Sequence, residues 1–250
     1  MSGLAHYLED EGIPTTLLAL VRKHVEEIKP PRALVVPFEL GRPIGAPNEP
    51  DFQRRVLRDC LELLEKGSGP VLKDFPDSPP GADAQPDGWA CPVNFSTPIE
   101  DVSDQDILEQ ALLQEIALLK PWYEESKQVR DGRTNFGISG KEPGEIQSFL
   151  ADLVINREGA ASPIEGKPLA LAFKQMADDI RYYYMESAIA RPDQRVTDVE
   201  IGNWLWGETT LGKVLIEIRN WAMESKDPGF KAFAPTAMVP SHQRHRTIHG

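Results

Sequence analysis

The chain has 250 residues, 40% of them hydrophobic and 26% charged, an ordinary globular composition with length for one large domain or two small ones. Its 27 Lys and Arg stand against 39 Asp and Glu, and the resulting charge of −12 argues against general nucleic-acid binding. Two cysteines are too few for a disulfide framework or a four-thiolate metal site, and no run reaches the roughly 18 apolar residues of a membrane span.

Residues 2–11 read as a short helix closed by Gly12, which suits the left-handed turn after a helix. Ile13 to Leu20 is an apolar run of strand length. Residues 21–29 form a second predicted helix, stopped by Pro30 and Pro31. Ala33 to Phe38 is a second buried strand. Apolar strands alternating with helices predict a parallel sheet covered on both faces. Asp51 to Lys66 follows as an amphipathic helix, with Phe52, Val56, Leu57, Cys60, Leu63 and Leu64 on one side.

Pro76, Pro79, Pro80, Pro86, Pro92 and Pro98 interrupt every period between residues 74 and 98, which predicts an extended connector. From Ser103 the pattern is helical, over about 104–130, 143–156, 167–190 and 197–225. Ser103 with Asp106 and Thr197 with Glu200 have capping-box spacing, and Pro143 suits a first helical turn. Gly132 to Gly140 is a glycine-rich link. The expected organisation is an α/β segment with a short parallel sheet over 1–73, a Pro-rich connector over 74–102, an all-α helical bundle over 103–235 and a disordered basic tail over 236–250. The first residues lack the basic and apolar segments of a secretory signal, so a cytoplasmic protein without membrane partners is expected.

Histidine placement excludes several chemistries. His6 and His24 lie near the start, His242, His245 and His249 in the tail, and none between. The bundle therefore has no Glu-x-x-His pair for a di-metal centre and no three-histidine zinc site. Carboxylates do fall on apolar stripes: Glu115 with Leu108, Leu112 and Leu119; Glu208 with Trp204, Leu205 and Leu211; Asp179 and Glu186 beside Phe173, Met176, Ile180 and Tyr183. One reading is an acidic cluster that moves a proton or holds Mg or Mn. The other is that each carboxylate caps a helix, pairs with Arg181 or Lys213, or accepts from a tyrosine or tryptophan.

Cys91, in the loop Gly88 to Phe95, is the candidate catalytic thiol; its alternative is a small hydrophobe that pins the connector. Arg42 follows the second strand in Gly41 to Pro47. Open α/β sheets bind ligands at the carboxyl ends of their strands, so Arg42 is a candidate for holding a carboxylate or phosphate. Glu208 completes the candidate substrate-binding residues. Trp204, Trp206 and Tyr182 to Tyr184 line either a pocket or the core.

The opening has a familiar order: Leu8-Glu-Asp-Glu-Gly-Ile-Pro-Thr15, a strand, Pro31-Arg-Ala-Leu-Val-Val-Pro-Phe-Glu-Leu-Gly-Arg-Pro43, then Asp51-Phe-Gln-Arg-Arg-Val-Leu57. It resembles the C-terminal portion of the selenoprotein B subunit of the glycine, sarcosine and betaine reductases and the related D-proline reductase, over about residues 4–66. The resemblance implies a thiol-dependent reductase acting on a C–N or C–S bond of a small amino-acid-like substrate. In that family the redox selenocysteine or cysteine lies just upstream of the helix before Gly-Ile-Pro. Residues 1–11 contain no cysteine, so the nucleophile is expected from Cys91 or from a partner. Three functions follow as expectations: such a reductase, a non-catalytic binding or partner subunit, or a metal-dependent enzyme built on Glu115, Glu208, Asp179 and Glu186. The two strands read from the sequence are too few for a sheet alone, which points to a homo-oligomer or a partner subunit.

Overall fold

The computed structural model describes residues 2–38, 41–45, 47–67, 69–78, 89, 91–93, 95, 99, 102–191, 196–235 and 238–248. The chain divides into two compact units, residues 1–85 and 86–250.

In the first unit, α1 (Ser2–Asp10) ends with Gly12 at φ 79°, as its position predicts. Then come β1 (Leu17–Ala19), α2 (Arg22–Ile28), β2 (Arg32–Val35), α3 (Pro50–Leu61) with a 3-10 turn over Glu62–Glu65, and β3 (Val71–Asp74). The sheet is parallel throughout, in the order β1-β2-β3. Both faces of β2 are covered. Ala33 and Val35 pack with Val25 of α2, and Leu34 with Phe52, Val56 and Cys60 of α3. This explains why β2 reads as an unbroken apolar run. β3 is a correction to the two-strand reading. Its residues are half-buried or exposed, so only Val71 and Leu72 carry apolar signal.

A buried cation ties this unit together. Arg32 is 6% exposed and donates to Glu9 Oε1 at 2.6 Å, to the Lys66 and Gly67 carbonyls at 3.1 Å, and to the Thr15 carbonyl at 3.4 Å. Glu9 also accepts from the Thr15 backbone and, at 3.0 Å, from its hydroxyl. The Thr15 amide first, then Arg32, hold the Glu9 carboxyl below the usual range against some desolvation. Glu9, Thr15 and Arg32 all belong to the quoted opening motifs, so part of that pattern serves to hold the sheet's entry together.

The second unit is helical. α4 (Gln105–Val129) continues through Pro121, α5 (Pro143–Asn156) starts at the expected proline, and α6 is Leu169–Ala188. α4 packs chiefly on α6 and α5. Their apolar faces meet as periodicity predicts: Leu108, Leu112, Leu119, Ile146, Leu150, Leu153, Met176 and Ile180 are all buried. Thr197 and Glu200 form the expected capping box. Ser103 does not cap α4. Asp104 does, accepting from the Ile107 amide at 3.1 Å.

Two further expectations are corrected. The long helix over 197–225 is two helices, α7 (Asp198–Glu208) and α8 (Thr210–Glu224), broken at Thr209. The Thr209 hydroxyl donates to the Leu205 carbonyl at 2.6 Å and accepts from the Gly212 amide at 2.9 Å, ending one helix and capping the next. The segment expected to be a disordered tail is folded over its described residues. After α9 (Pro228–Phe233), Met238 and Val239 enter the core, and a 3-10 turn spans Ser241–Arg246. Gln243 and Thr247 are buried by hydrogen bonds: Gln243 to Asn203 at 2.9 Å, and Thr247 from Arg219 at 2.7 Å. Among the described residues, no helix is long and apolar enough to cross a membrane.

Candidate functional site

Cys91 packs against the bundle core with Trp89, Val93 and Phe95. These aromatics fix the segment: Phe95 stacks on Trp204 at 5.8 Å between centroids, and Trp89 meets Trp204 edge-on at 6.1 Å. Lys213 Nζ donates to the Ile99 carbonyl at 3.0 Å. The described part of the proline-rich stretch is thus seated on the helices from Trp89 onward, which matches the pinning alternative for Cys91. Burial is the main force on the thiol. It pushes the Cys91 pKa up to about 11, with the Val93 amide opposing and the negative charge of Glu208 adding to the rise. Cys91 and Glu208 are thereby brought within electrostatic reach, but with the wrong sign for activation. A nucleophilic thiolate needs a nearby positive charge or a helix N-terminus, whereas here burial, with Glu208 adding to it, keeps the proton on sulfur. Glu208 itself is exposed near the end of α7.

Arg42 belongs to the other unit. It is exposed in the turn Gly41 to Gly45, where Gly41 and Gly45 take φ 93° and 88° and the Gly45 amide bonds to the Arg42 carbonyl at 3.0 Å. Phe38, Phe52 and Phe75 fill the space just beyond β2 and β3, with ring centroids 5.6–5.8 Å apart. An apolar plug thus stands where an open sheet would place a polar crevice.

Three of the stripe carboxylates, Asp179, Glu186 and Glu115, are buried and hydrogen-bonded. Asp179, fully buried on α6, accepts from the amides of Gly137 and Ile138 at 3.0 Å and of Ser139 at 2.8 Å, and from the Ser139 hydroxyl at 2.6 Å. Glu186, two turns later, accepts from the Thr134 hydroxyl at 2.7 Å and the Asn135 amide at 2.9 Å, and pairs with Arg130 at 2.7 Å. Burial raises the Glu186 pKa, but Arg130 and the Asn135 amide outweigh it and hold the carboxyl below its usual range. Together these two side chains staple the glycine-rich link to α6. Glu115 of α4 accepts from the Thr210 amide at 2.6 Å, the Leu211 amide at 3.3 Å and the Tyr184 hydroxyl at 2.9 Å. It is an anion placed against the first turn of α8. Desolvation nevertheless dominates and raises its pKa.

The three buried carboxylates thus serve two different partners, the link and α8. No group of three His, Cys, Asp or Glu side chains suitable for a metal ion forms among the described residues. An open groove of about 380 Å³ between α4 and α5 is lined by Asp106, Glu109, Gln110, Leu113, Gly144, Gln147 and Ser148. None of Cys91, Arg42, Glu208, Glu115, Asp179 and Glu186 borders it. Sequence reasoning missed Arg32, Arg130 and Arg219. Only Arg130 had a usable signal, as a cation immediately before the link that α6 carboxylates face. The fold and these residues define a class: a small parallel α/β unit joined to a helical unit whose buried charges are chiefly structural. No protein-family model, curated protein or solved structure matches the chain.

Proposed function

We propose that this chain is a cytoplasmic, non-catalytic relative of the selenoprotein B reductase family, acting as a binding or partner subunit. The observation that carries the non-catalytic half is Cys91. Its thiol is packed on the core, pushed up to about 11, and faced by a carboxylate instead of a cation. The kinship rests on the ordered motifs of residues 4–66 and on their place in a β-α-β-α-β unit in which β1 and β2 are parallel neighbours. The unit also has two open strand edges among its described residues, β1 and β3, which favours assembly with another chain or a second copy.

The test is turnover by the full chain. Glycine, sarcosine, betaine and D-proline are each supplied with a dithiol reductant, and release of the amine or ring-opened product is followed. The expected result is no product above background, with wild type and Cys91→Ser indistinguishable. Sedimentation of the same sample is expected to show a homo-oligomer or a complex with a partner. Product formation that disappears in Cys91→Ser would overturn the reading in favour of a single-chain reductase.

A further inference from the structure

The cations of the helical unit divide into two kinds. Half-buried ones have an acid beside them: Arg130 has Glu186, and Lys174 and Arg181 share Asp178. Arg219 of α8 does not. It is 2% exposed, and its guanidinium gives one hydrogen bond, at 2.7 Å, to the Thr247 hydroxyl. That hydroxyl in turn donates to the Arg244 carbonyl at 2.8 Å, so it supplies dipole but no charge. The charge felt by Arg219 among the described residues is that of another cation. Burial first, and the positive charge of Arg244 second, pull the Arg219 pKa down. The Nε atoms of both Arg219 and Arg244 are buried without any hydrogen-bond partner. Among the described residues, no carboxylate forms an ion pair with either.

A buried charge without a counter-charge is strongly unfavourable, and a like charge beside it makes it worse. Folding of the C-terminal segment creates this arrangement, because Arg244 and Thr247 reach Arg219 only when the 3-10 turn docks on α8. The chain as a whole carries −12, so no general basic field accounts for it. The group that would balance this pair is negative and rich in acceptors. Guanidinium groups present planar forks of N–H donors that match carboxylate and phosphate oxygens.

We propose that the seam between α8 and the C-terminal 3-10 turn binds a small oxyanion, a carboxylate or phosphate, held by Arg219 and Arg244 beside Thr247. This site lies wholly in the helical unit and does not depend on the reading of Cys91 or on the kinship of the α/β unit. Its occupant neutralises the buried pair and locks the C-terminal segment onto α8, so ligand binding and seating of that segment are one event.

The experiment is calorimetric titration of the full chain with inorganic phosphate and, separately, acetate, against sodium chloride at matched ionic strength, with thermal melts of the same samples. One equivalent of at least one oxyanion is expected to bind and to raise the melting temperature. Preference for phosphate or for acetate tells which oxyanion the site takes. Arg219→Met is expected to abolish binding, and Arg244→Gln, a change at a half-buried position, to weaken it by about tenfold or more. The Arg244 variant and the wild-type titration decide the matter even if Arg219→Met folds poorly. Absence of binding by either anion to the wild type, or binding that survives unchanged in Arg244→Gln, overturns the proposal.

Discussion

Asp179→Ala is expected to cost the helical unit about 4 kcal/mol, the largest loss from any single side chain considered. The carboxylate accepts four hydrogen bonds from a three-residue stretch of the link, three of them from backbone amides. Backbone donors have no rotamer to escape into. With alanine at the position, the Ser139 amide is left buried and unpaired, and the half-buried amides of Gly137 and Ile138 lose their partner, or the link pulls away from α6, at up to about 1–3 kcal/mol for a group left unsatisfied. Asp179→Asn is expected to lose less, because its single carbonyl oxygen still accepts from Gly137 and Ile138 while its NH₂ confronts the Ser139 amide. Denaturant melts give the global loss. Hydrogen exchange at residues 137–139 gives the local one, since those amides are protected in the wild type only through Asp179. A loss below about 1 kcal/mol, with exchange unchanged, would mean that Glu186 alone holds the link.

Glu115→Ala comes second, at about 3 kcal/mol, because it strands the Thr210 and Leu211 amides and the Tyr184 hydroxyl in the core. The conservative partner, Glu115→Gln, carries the pH test. Burial raises the Glu115 pKa in the folded protein above its value in the unfolded chain. The stability linked to its titration is therefore fully present below the ordinary carboxylate range, and it is lost as pH rises through the raised value. Glutamine does not titrate. The wild type is thus expected to exceed Glu115→Gln most at acid pH and to lose that advantage as the pH rises toward neutrality. An advantage that instead grows with pH would show that the α8 N-terminus, not desolvation, governs this carboxyl.

How much of this was legible in the sequence follows from what each element is made of. The faces of α4, α5 and α6 are set by apolar repetition, and Ile146, Phe149, Leu150 and Leu153 are buried as spacing requires. The break at Thr209 leaves no mark on that repetition, since Leu205 and Leu211 are both core and the apolar pattern runs across it. Its trace was chemical: consecutive threonines followed by Gly212, where a β-carbon would lie 2.1 Å from the Leu205 carbonyl oxygen. The segment after Pro235 misled for a related reason. Gln243 and Thr247 are buried by specific hydrogen bonds to residues about 28–40 positions away, and composition does not report such pairings. The candidate site was legible in part. Asp179 and Glu186 were visible as acids on a buried face, but whether an acid there binds a metal or staples a loop depends on donors arriving from Thr134 to Ser139. Cys91 was visible as a loop cysteine, whereas the polarity of its surroundings required Glu208 to be placed.

The ionisation of Cys91 tests the non-catalytic reading most directly. In a Cys60→Ala background, the rate of alkylation by iodoacetamide is followed from pH 6 to 11, with circular dichroism confirming that the helices persist. The rate is expected to keep climbing past pH 10, with about a hundredfold less thiolate near neutrality than an ordinary thiol would show. Because the folded value lies above the unfolded one, stability should also begin to fall as the pH climbs from the normal thiol range toward 11. A rate that levels off below about pH 8 would reveal a thiolate activated by a positive charge, and a thiol reductase would then be the better description of this protein.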